Sequence, residues 1–256
     1  MNKIADHPAL TMLARGGFIV LGIVHILIGW IAVQIATGSG GGEASNTGAL
    51  AAVAEAPGGQ ILLWAAVFCL AALGLWRLSQ VVTGRDLKEK GKGAVLAVVY
   101  LSLAFTTATF ARGESTSDSE TATDVTATVL AQPWGDIAVM IAGLVVVGVG
   151  LYNLKTGATK GFREELEAGA EAGQVGSAIV LAGMVGYIAR GIAFSVLGGL
   201  IIWAGWANDP EQAAGLDAAL RTLGEQPAGS ILLIIIGVGL ALYGLYSIAR
   251  ARYVRM

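Results

Sequence analysis

His25 is the ionisable side chain best placed to do chemistry inside an apolar stretch of this chain. An imidazole changes its charge near neutral pH and can bind metals or protons, and ionisable groups inside membrane spans are often functional. His7 lies outside the stretch, which disfavours a haem held by two histidines. Tyr100 and Phe194 stand between small residues at the same spacing as His25, so the position accepts any ring. We therefore expect His25 to pack, with ligand or proton binding as the alternative.

Arginine and lysine residues near the ends of apolar stretches indicate contacts with lipid headgroups. A long basic side chain can carry its charge out to the headgroups, which avoids the cost of placing that charge at the membrane centre. A basic cluster also attracts anionic lipid, by about 1 kcal/mol per charge. The residues expected to make such contacts are Arg77, Arg85, Lys88, Lys90, Lys92 and Arg190. Trp76, Tyr152 and Tyr246 are typical of an aromatic belt at the same depth.

The sequence has none of the motifs that would indicate a reaction. It contains no HExxH, GxSxG, P-loop or CxxC pattern. Its apolar stretches hold no Asp or Glu that could couple protons or sodium ions to transport. Cys69 is the only cysteine and is expected to be a small, buried apolar residue. We expect no catalytic residue, no cofactor, no metal ion and no nucleic-acid partner.

The composition is that of a membrane protein made of helices. Hydrophobic residues make up 55% of the 256 residues and charged residues only 13%, against roughly 25% charged in soluble domains. About 20 apolar residues are needed for a helix to cross a bilayer. Six stretches are long enough, so we predict an all-α membrane protein with six transmembrane helices.

A small–aromatic–small pattern and a proline pattern recur in step along the chain. The first occurs at Gly22/His25/Gly29, Ala97/Tyr100/Ala104 and Gly191/Phe194/Gly198. The second consists of Pro57, Pro133 and Pro227, each followed two residues later by a glycine. Two patterns that agree indicate three tandem copies of one helix pair.

The predicted repeats have unequal lengths. Repeat 1 covers 1–84 (helices 17–36 and 61–81), repeat 2 covers 85–157 (helices 93–111 and 137–154), a charged cytoplasmic linker covers 158–175, and repeat 3 covers 176–256 (helices 187–206 and 231–249). Because each pair of spans returns the chain to its starting side, we expect pseudo-three-fold symmetry about the membrane normal. Since small residues permit close approach, the first helices of the repeats should contact one another through a seam of Gly22, Gly29, Ala97, Ala104, Gly191 and Gly198.

The distribution of basic residues predicts the orientation. Fourteen Lys and Arg residues lie on the side that holds the termini, and two, Arg112 and Arg221, lie on the other. Because cytoplasmic loops carry the excess of Lys and Arg, both termini should be cytoplasmic. The opposite loops are acidic.

The connecting segments also predict local structure. A short apolar pattern before each proline indicates three short amphipathic helices on the outer rim. Their expected N-terminal caps are Asn46 or Thr47, Thr123 or Asp124, and Asp217. Thr159 is expected to cap a charged helix in the cytoplasmic linker that carries Arg163, Glu164, Glu165, Glu167 and Glu171.

The repeat segments resemble a known family of membrane proteins. They are ARGGFIVLGIVHILIG at 14–29, GYIARGIAFSVLGG at 186–199, and ALAAVAEAPGG, VLAQPWG and ALRTLGEQPAG before the second helices. The family is actinobacterial, of unknown function, and built from three tandem copies of a transmembrane helix pair. Repeat 2 departs most, since Lys92 and Gly93 replace the glycine–aromatic pair at 17–18 and 186–187. The resemblance implies an actinobacterial plasma membrane and no particular activity.

Packing, turn and belt roles account for every recurring residue, which favours a non-catalytic protein. We expect an accessory or scaffolding subunit of a larger plasma-membrane complex, with membrane lipids and an unidentified protein as partners. The alternative is a channel or facilitator for a small uncharged or lipid-like solute along the three-fold axis. An enzyme is disfavoured because the spans lack convergent polar groups.

Overall fold

The computed structural model describes residues 8–40, 42–83, 87–165 and 173–253. Over these ranges the chain is helical and contains no β-strand. The long helices are α1 (Pro8–Thr37), α3 (Gly59–Thr83), α4 (Leu87–Ala111), α6 (Gly135–Thr159), α7 (Gly173–Ala207) and α9 (Gly229–Tyr253). All six are long and apolar enough to cross a membrane. The six predicted spans are therefore confirmed as helices, and the structure extends each of them at its polar ends.

Three short helices occupy the loops that precede the prolines, as predicted. They are α2 (Asn46–Glu55), α5 (Asp118–Leu130) and α8 (Gly215–Gly224). The predicted caps are wrong. Ser45 caps α2 by accepting the Gly48 N–H at 3.1 Å, and Ser117 caps α5 by accepting the Glu120 N–H at 3.2 Å. A capping residue must precede the helix with extended backbone, and both helices begin before their apolar patterns.

The charged linker at 158–175 also differs from its prediction. Thr159 is the last residue of α6, and its hydroxyl donates to the Lys155 carbonyl at 2.8 Å instead of capping a new helix. Lys160 then adopts left-handed backbone with φ of 55°, and a 3₁₀ turn covers Gly161–Glu165. The predicted positions Glu167 and Glu171 lie outside the described residues.

The helices pack in a row whose order is α6–α7–α9–α1–α3–α4. The first helix of each repeat packs on the second helix of another repeat. Helix α4 lies on α3 of repeat 1, α7 lies on α6 of repeat 2, and α1 lies on α9 of repeat 3. The two helices of repeat 1 also pack together, as do those of repeat 3, whereas α4 and α6 of repeat 2 are not among the pairs with extensive contact. The row is therefore open between α4 and α6.

Corresponding glycines make the same close contact in all three inter-repeat pairs. A Cβ built on Gly74 of α3 would lie 2.8 Å from Leu101 of α4. A Cβ on Gly150 of α6 would lie 2.8 Å from the Ser195 nitrogen of α7, and a Cβ on Gly244 of α9 would lie 2.7 Å from Ile26 of α1. The three glycines occupy equivalent positions in their repeats, and so do the three residues that they contact. The helix backbones thus approach closely because no side chain separates them.

The seam residues lie at these interfaces, but their partners differ from those predicted. Gly22 and Gly29 face Gly244 and Gly237 of α9, while Gly191 and Gly198 face Gly150 and Gly143 of α6. Ala97 and Ala104 are buried on α4, which packs on α3. The prediction that the first helices contact one another through the seam is wrong, because the second helices supply the matching small residues.

Lys92 accounts for the opening between α4 and α6. In repeat 1 a Cβ on Gly17 would lie 2.8 Å from Leu73, and in repeat 3 a Cβ on Gly186 would lie 2.6 Å from Tyr243. Repeat 2 carries Lys92 at the position of these glycines. A lysine side chain does not fit a contact that excludes even a methyl group, so α4 and α6 cannot approach as the other pairs do.

The loops between the two long helices of each repeat are joined through residues 42–47, at the start of α2. The Glu43 carboxylate accepts hydrogen bonds from Ser117 Oγ (3.2 Å), Ser119 N–H (3.1 Å) and Ser119 Oγ (2.9 Å) of repeat 2. Thr47 N–H donates to Asp118 at 3.2 Å, and Asp118 N–H donates to the Thr47 hydroxyl at 3.0 Å. Repeats 1 and 2 are thus linked by several charge-assisted bonds.

Asp217 makes the corresponding link to repeat 3. Its carboxylate accepts the Ala44 N–H at 2.7 Å and the Arg221 Nε–H at 2.6 Å, and Arg221 also donates to the Gly42 carbonyl at 3.0 Å. Asp217 lies within α8 and does not cap it. Three acidic residues of these loops, Glu43, Asp118 and Asp217, therefore hold the loops together.

Candidate functional site

A charged and aromatic cluster lies where α1, α7 and α9 meet. The Arg190 guanidinium on α7 donates from Nη1 to the Tyr243 hydroxyl at 2.6 Å. Its Cζ lies 4.9 Å from the centre of the Tyr243 ring and 5.1 Å from that of Phe194. Two rings and one hydroxyl therefore hold the guanidinium in place, through one hydrogen bond and two cation–π contacts.

His25 approaches the same tyrosine from α1. Its Nδ1 lies 2.8 Å from the Leu21 carbonyl one turn earlier, a distance at which the Nδ1–H tautomer donates to that carbonyl. The His25 and Tyr243 ring centres are 4.8 Å apart. These two contacts hold the His25 ring against α1 and α9.

Further aromatic residues surround Tyr243 on the side nearer the C-terminal end of α9. Phe162, from the 3₁₀ turn after α6, stacks on Tyr187 at 5.3 Å and meets Tyr246 edge-on at 5.1 Å. Tyr187 in turn meets Tyr243 edge-on at 5.2 Å. Offset and edge-to-face ring pairs at these distances are favourable, so the cluster is a rigid support for Arg190.

The guanidinium lies deeper than the predicted aromatic belt. Tyr243 is three residues before Tyr246 along α9, which is about 4.5 Å toward the membrane centre at 1.5 Å per residue. Arg190 donates to this deeper tyrosine. The structure thus places the Arg190 charge against protein side chains, about one helical turn deeper than Tyr246. Tyr246 and Trp76 are themselves buried, so of the three predicted belt residues only Tyr152 is exposed.

The other predicted headgroup contacts lie near the C-terminal end of α3 and the N-terminal end of α4. Arg77 is buried against Trp76, with Cζ 4.7 Å from the ring centre, and donates to Gln80 at 3.0 Å. Lys92 is exposed and Lys90 is half-buried. Arg85 and the side chain of Lys88 lie outside what the structure describes.

Comparison of the repeats could have singled out the cluster. Arg190 stands where the other copies have Leu21 and Leu96, and Tyr243 stands where they have Leu73 and Val149. Both changes are visible in the sequence. That the two residues touch each other is not, since it requires the packing of α7 on α9.

The chemistry of the cluster suits an anion. A guanidinium and a protonated phenol are both hydrogen-bond donors, and neither commonly binds a metal ion. Over the ranges that the structure covers, no three His, Cys, Asp or Glu side chains come together as metal ligands.

Three segments of the chain, 16–84, 92–160 and 185–254, match the family described as Domain of Unknown Function (DUF1206). The chain belongs to the DUF1206 family. The three matches agree with the three tandem repeats. A relative from Bacillus subtilis (strain 168), described as "Uncharacterized protein YxxB", is 29% identical over 266 residues, covering 100% of this chain and 96% of the relative. No solved structure matches the chain.

These similarities carry no activity to this DUF1206 protein. The family and the relative are both described without a function, and the relative from Bacillus means that the comparison does not restrict the protein to actinobacteria. Arguments about function therefore rest on the residues of this chain.

Proposed function

We propose that this protein is a non-catalytic, multi-pass plasma-membrane protein that serves as an accessory or scaffolding subunit of a larger complex. Both termini are placed in the cytoplasm, with the acidic loops outside, because of the asymmetry of Lys and Arg. The observation that carries the proposal is the open edge between α4 and α6. At this edge repeat 2 exposes positions that repeats 1 and 3 bury.

Val99 on α4 is a clear example. Its side chain is 50% exposed, whereas the residues at the corresponding positions, Val24 and Ala193, are 3% and 2% exposed. On α6, Val149 is 44% exposed, whereas its counterparts Leu73 and Tyr243 are 0% and 7% exposed. Repeats 1 and 3 thus bury this face against other helices, whereas in repeat 2 the described part of the chain leaves the same face uncovered.

The occupant that we propose is a transmembrane helix of a partner protein with an acidic cytoplasmic end. Lys92 on α4, Lys155 on α6 and Lys160, which directly follows α6, are exposed at the cytoplasmic ends of the two helices. An acidic segment would complement these charges. Helix α6 has the most surface to offer, since its span is only 22% buried, compared with 50% for α9. Membrane lipids cover the remaining apolar surface.

Site-specific photo-cross-linking in native membranes tests the proposal. A photoreactive amino acid at Val99 or at Val149 should yield one discrete adduct with another protein. The same probe at Ile235 or Val238, which are exposed on α9, should yield none. Lipid adducts alone at all four positions would contradict the proposal. An adduct with the mass of two copies of this chain would also contradict it, because a second copy would then cover the edge.

A further inference from the structure

We infer that Arg190 and Tyr243 bind the oxyanion headgroup, a carboxylate or phosphate, of an anionic amphiphile in a groove between α1 and α7. This inference does not depend on the accessory role, because the groove lies away from the α4–α6 edge. Four features of the molecule support it: the packing of three helices around Tyr243, the unmatched charge, the occurrence of the residue pair in one repeat only, and the apolar surroundings.

The groove follows from the packing of three helices. Helices α1 and α7 both pack on α9 but are not an extensively contacting pair. His25 on α1 and Arg190 on α7 both touch the Tyr243 ring, at 4.8 Å between ring centres and 4.9 Å from guanidinium to ring centre. Tyr243 is buried, whereas His25 and Arg190 are only partly buried. Tyr243 therefore lies beneath His25 and Arg190, whose side chains each keep part of their surface exposed.

The Arg190 charge has no counter-charge in the part of the chain that the structure describes. Its one side-chain hydrogen bond is to the neutral Tyr243 hydroxyl, and its Nε is buried without a hydrogen-bond partner among those residues. Apart from Asp136 in the first turn of α6, the six spans contain no Asp or Glu. A charge inside a membrane is costly and is normally paired or placed for function, so an anion from outside the chain would relieve that cost.

The donors are already in position for such an anion. A guanidinium offers five N–H donors, and Tyr243 accepts only one of them. Because the Tyr243 oxygen accepts from Arg190, its own O–H is left to donate. Cation–π contacts with Phe194 and Tyr243 hold the guanidinium in a fixed direction. An oxyanion that accepts from both residues would complete these bonds.

The occurrence of the pair in a single repeat argues for a site and against a folding requirement. A residue needed for the packing of the helix pair should recur in every copy, as the interface glycines do. Arg190 and Tyr243 instead replace apolar residues in repeat 3 alone, and they contact each other. A single ligand that binds both residues would explain why the two polar replacements occur in the same repeat and contact each other.

The surroundings favour an amphiphile over a free ion. Helices α1 and α7 are both apolar spans, so apolar side chains flank the two polar residues on both helices. An acyl chain can lie along these walls and add apolar contact to the charged interaction. A free carboxylate or phosphate ion would lose its hydration without that gain.

Binding to the purified full-length protein in nanodiscs of neutral phosphatidylcholine tests the inference. The probes are oleate, for a carboxylate headgroup, and phosphatidylglycerol, for a phosphate headgroup, with binding measured by native mass spectrometry and by the shift in thermal midpoint. We expect at least one of them to bind the parent protein. Arg190→Gln should weaken its dissociation constant about tenfold or more, because charge-assisted bonds are lost. Tyr243→Phe should weaken it severalfold while keeping the ring.

Arg252→Gln is the matched control, because Arg252 is an exposed arginine near the end of α9 that also contacts a ring. It should bind within about twofold of the parent, as expected for a surface charge. Acetate and inorganic phosphate at the same concentration should not compete. The inference is overturned if neither amphiphile binds above the neutral-lipid background, if Arg190→Gln and Tyr243→Phe both bind like the parent, or if the simple ions compete equally well.

Discussion

Substitution of Gly29 by alanine tests the close helix contacts that define the fold. A Cβ at Gly29 would collide with the Gly237 carbonyl oxygen and lie 2.9 Å from the Ala241 nitrogen on α9. Both are backbone atoms, so no rotamer change can relieve the collision and α1 and α9 must move apart. Overpacking of this kind typically costs about 1–3 kcal/mol. Gly29→Ala should therefore be destabilised relative to a glycine-to-alanine change that creates no collision.

Gly148 supplies that comparison. It lies on α6, and a Cβ there would meet no atom within 4 Å. Alanine favours a helix over glycine by up to about 1 kcal/mol, and this gain is common to both variants. The difference between Gly148→Ala and Gly29→Ala thus isolates the packing cost, which should be about 1–3 kcal/mol.

Unfolding by SDS in mixed micelles, followed by far-ultraviolet circular dichroism, measures this difference. Gly148→Ala should unfold at the same SDS fraction as the parent or at a higher one, and Gly29→Ala at a lower one. Equal midpoints for the two variants would refute the close approach of α1 and α9. A loss of stability in Gly148→Ala would show instead that α6 is covered at that position.

Three further predictions concern the outer loops, His25 and the topology. Burial, assisted by the Glu43 carboxylate, raises the pKa of Asp118 above its ordinary 3.8. Because the folded state then binds the Asp118 proton more tightly than the unfolded state does, the stability should rise as pH falls from neutral toward about 4. Asp118→Asn should remove this part of the pH dependence of the thermal midpoint. His25→Phe imitates Phe194 and should leave stability within about 1 kcal/mol of the parent; solute flux through the purified monomer in proteoliposomes, lost in this variant, would favour the facilitator alternative. Cysteine labelling from each side of the membrane should find Ser115 outside and Lys160 inside, both exposed, and the reverse would overturn the orientation.

The long and short helices could be predicted because each depends on a local pattern. Length and hydropathy suffice to locate a span, and an apolar face before each proline suffices to locate the rim helices. The caps failed because many Ser, Thr, Asn and Asp residues cluster there, and only backbone geometry selects Ser45 and Ser117.

The neighbours of each helix could not be predicted from hydropathy, which does not say which faces meet. Gly22 and Gly29 were recognised as contact residues, but their partners on α9 depend on how the repeats are arranged. Lys92 was visible as a departure from the repeat, and its effect became clear only beside the close contact that Gly17 makes in repeat 1.

The cluster around Arg190 shows the same limit. The arginine was expected to reach the headgroups, as a long side chain near a helix end can. The structure instead directs it to Tyr243, a residue 53 positions away along the chain. Similarly, Glu43 and Asp217 were expected to be part of an acidic surface, and their backbone partners in other loops were not predictable from charge alone.

A comparison of engineered cysteine pairs in native membranes tests the open edge, on which the proposed function rests. A Cβ at Gly16 would lie 3.5 Å from the Cys69 Cβ, which is within the range of about 3.5–4.5 Å found in disulfides. Gly16→Cys should therefore form a disulfide with the native Cys69 on mild oxidation, and both thiols should become resistant to a polyethylene-glycol maleimide. Gly91→Cys with Val145→Cys, placed at the corresponding positions of repeat 2 in a Cys69→Ala background, should stay reactive because α4 and α6 are apart. A disulfide between positions 91 and 145 that forms as readily as the one in repeat 1 would contradict the open edge.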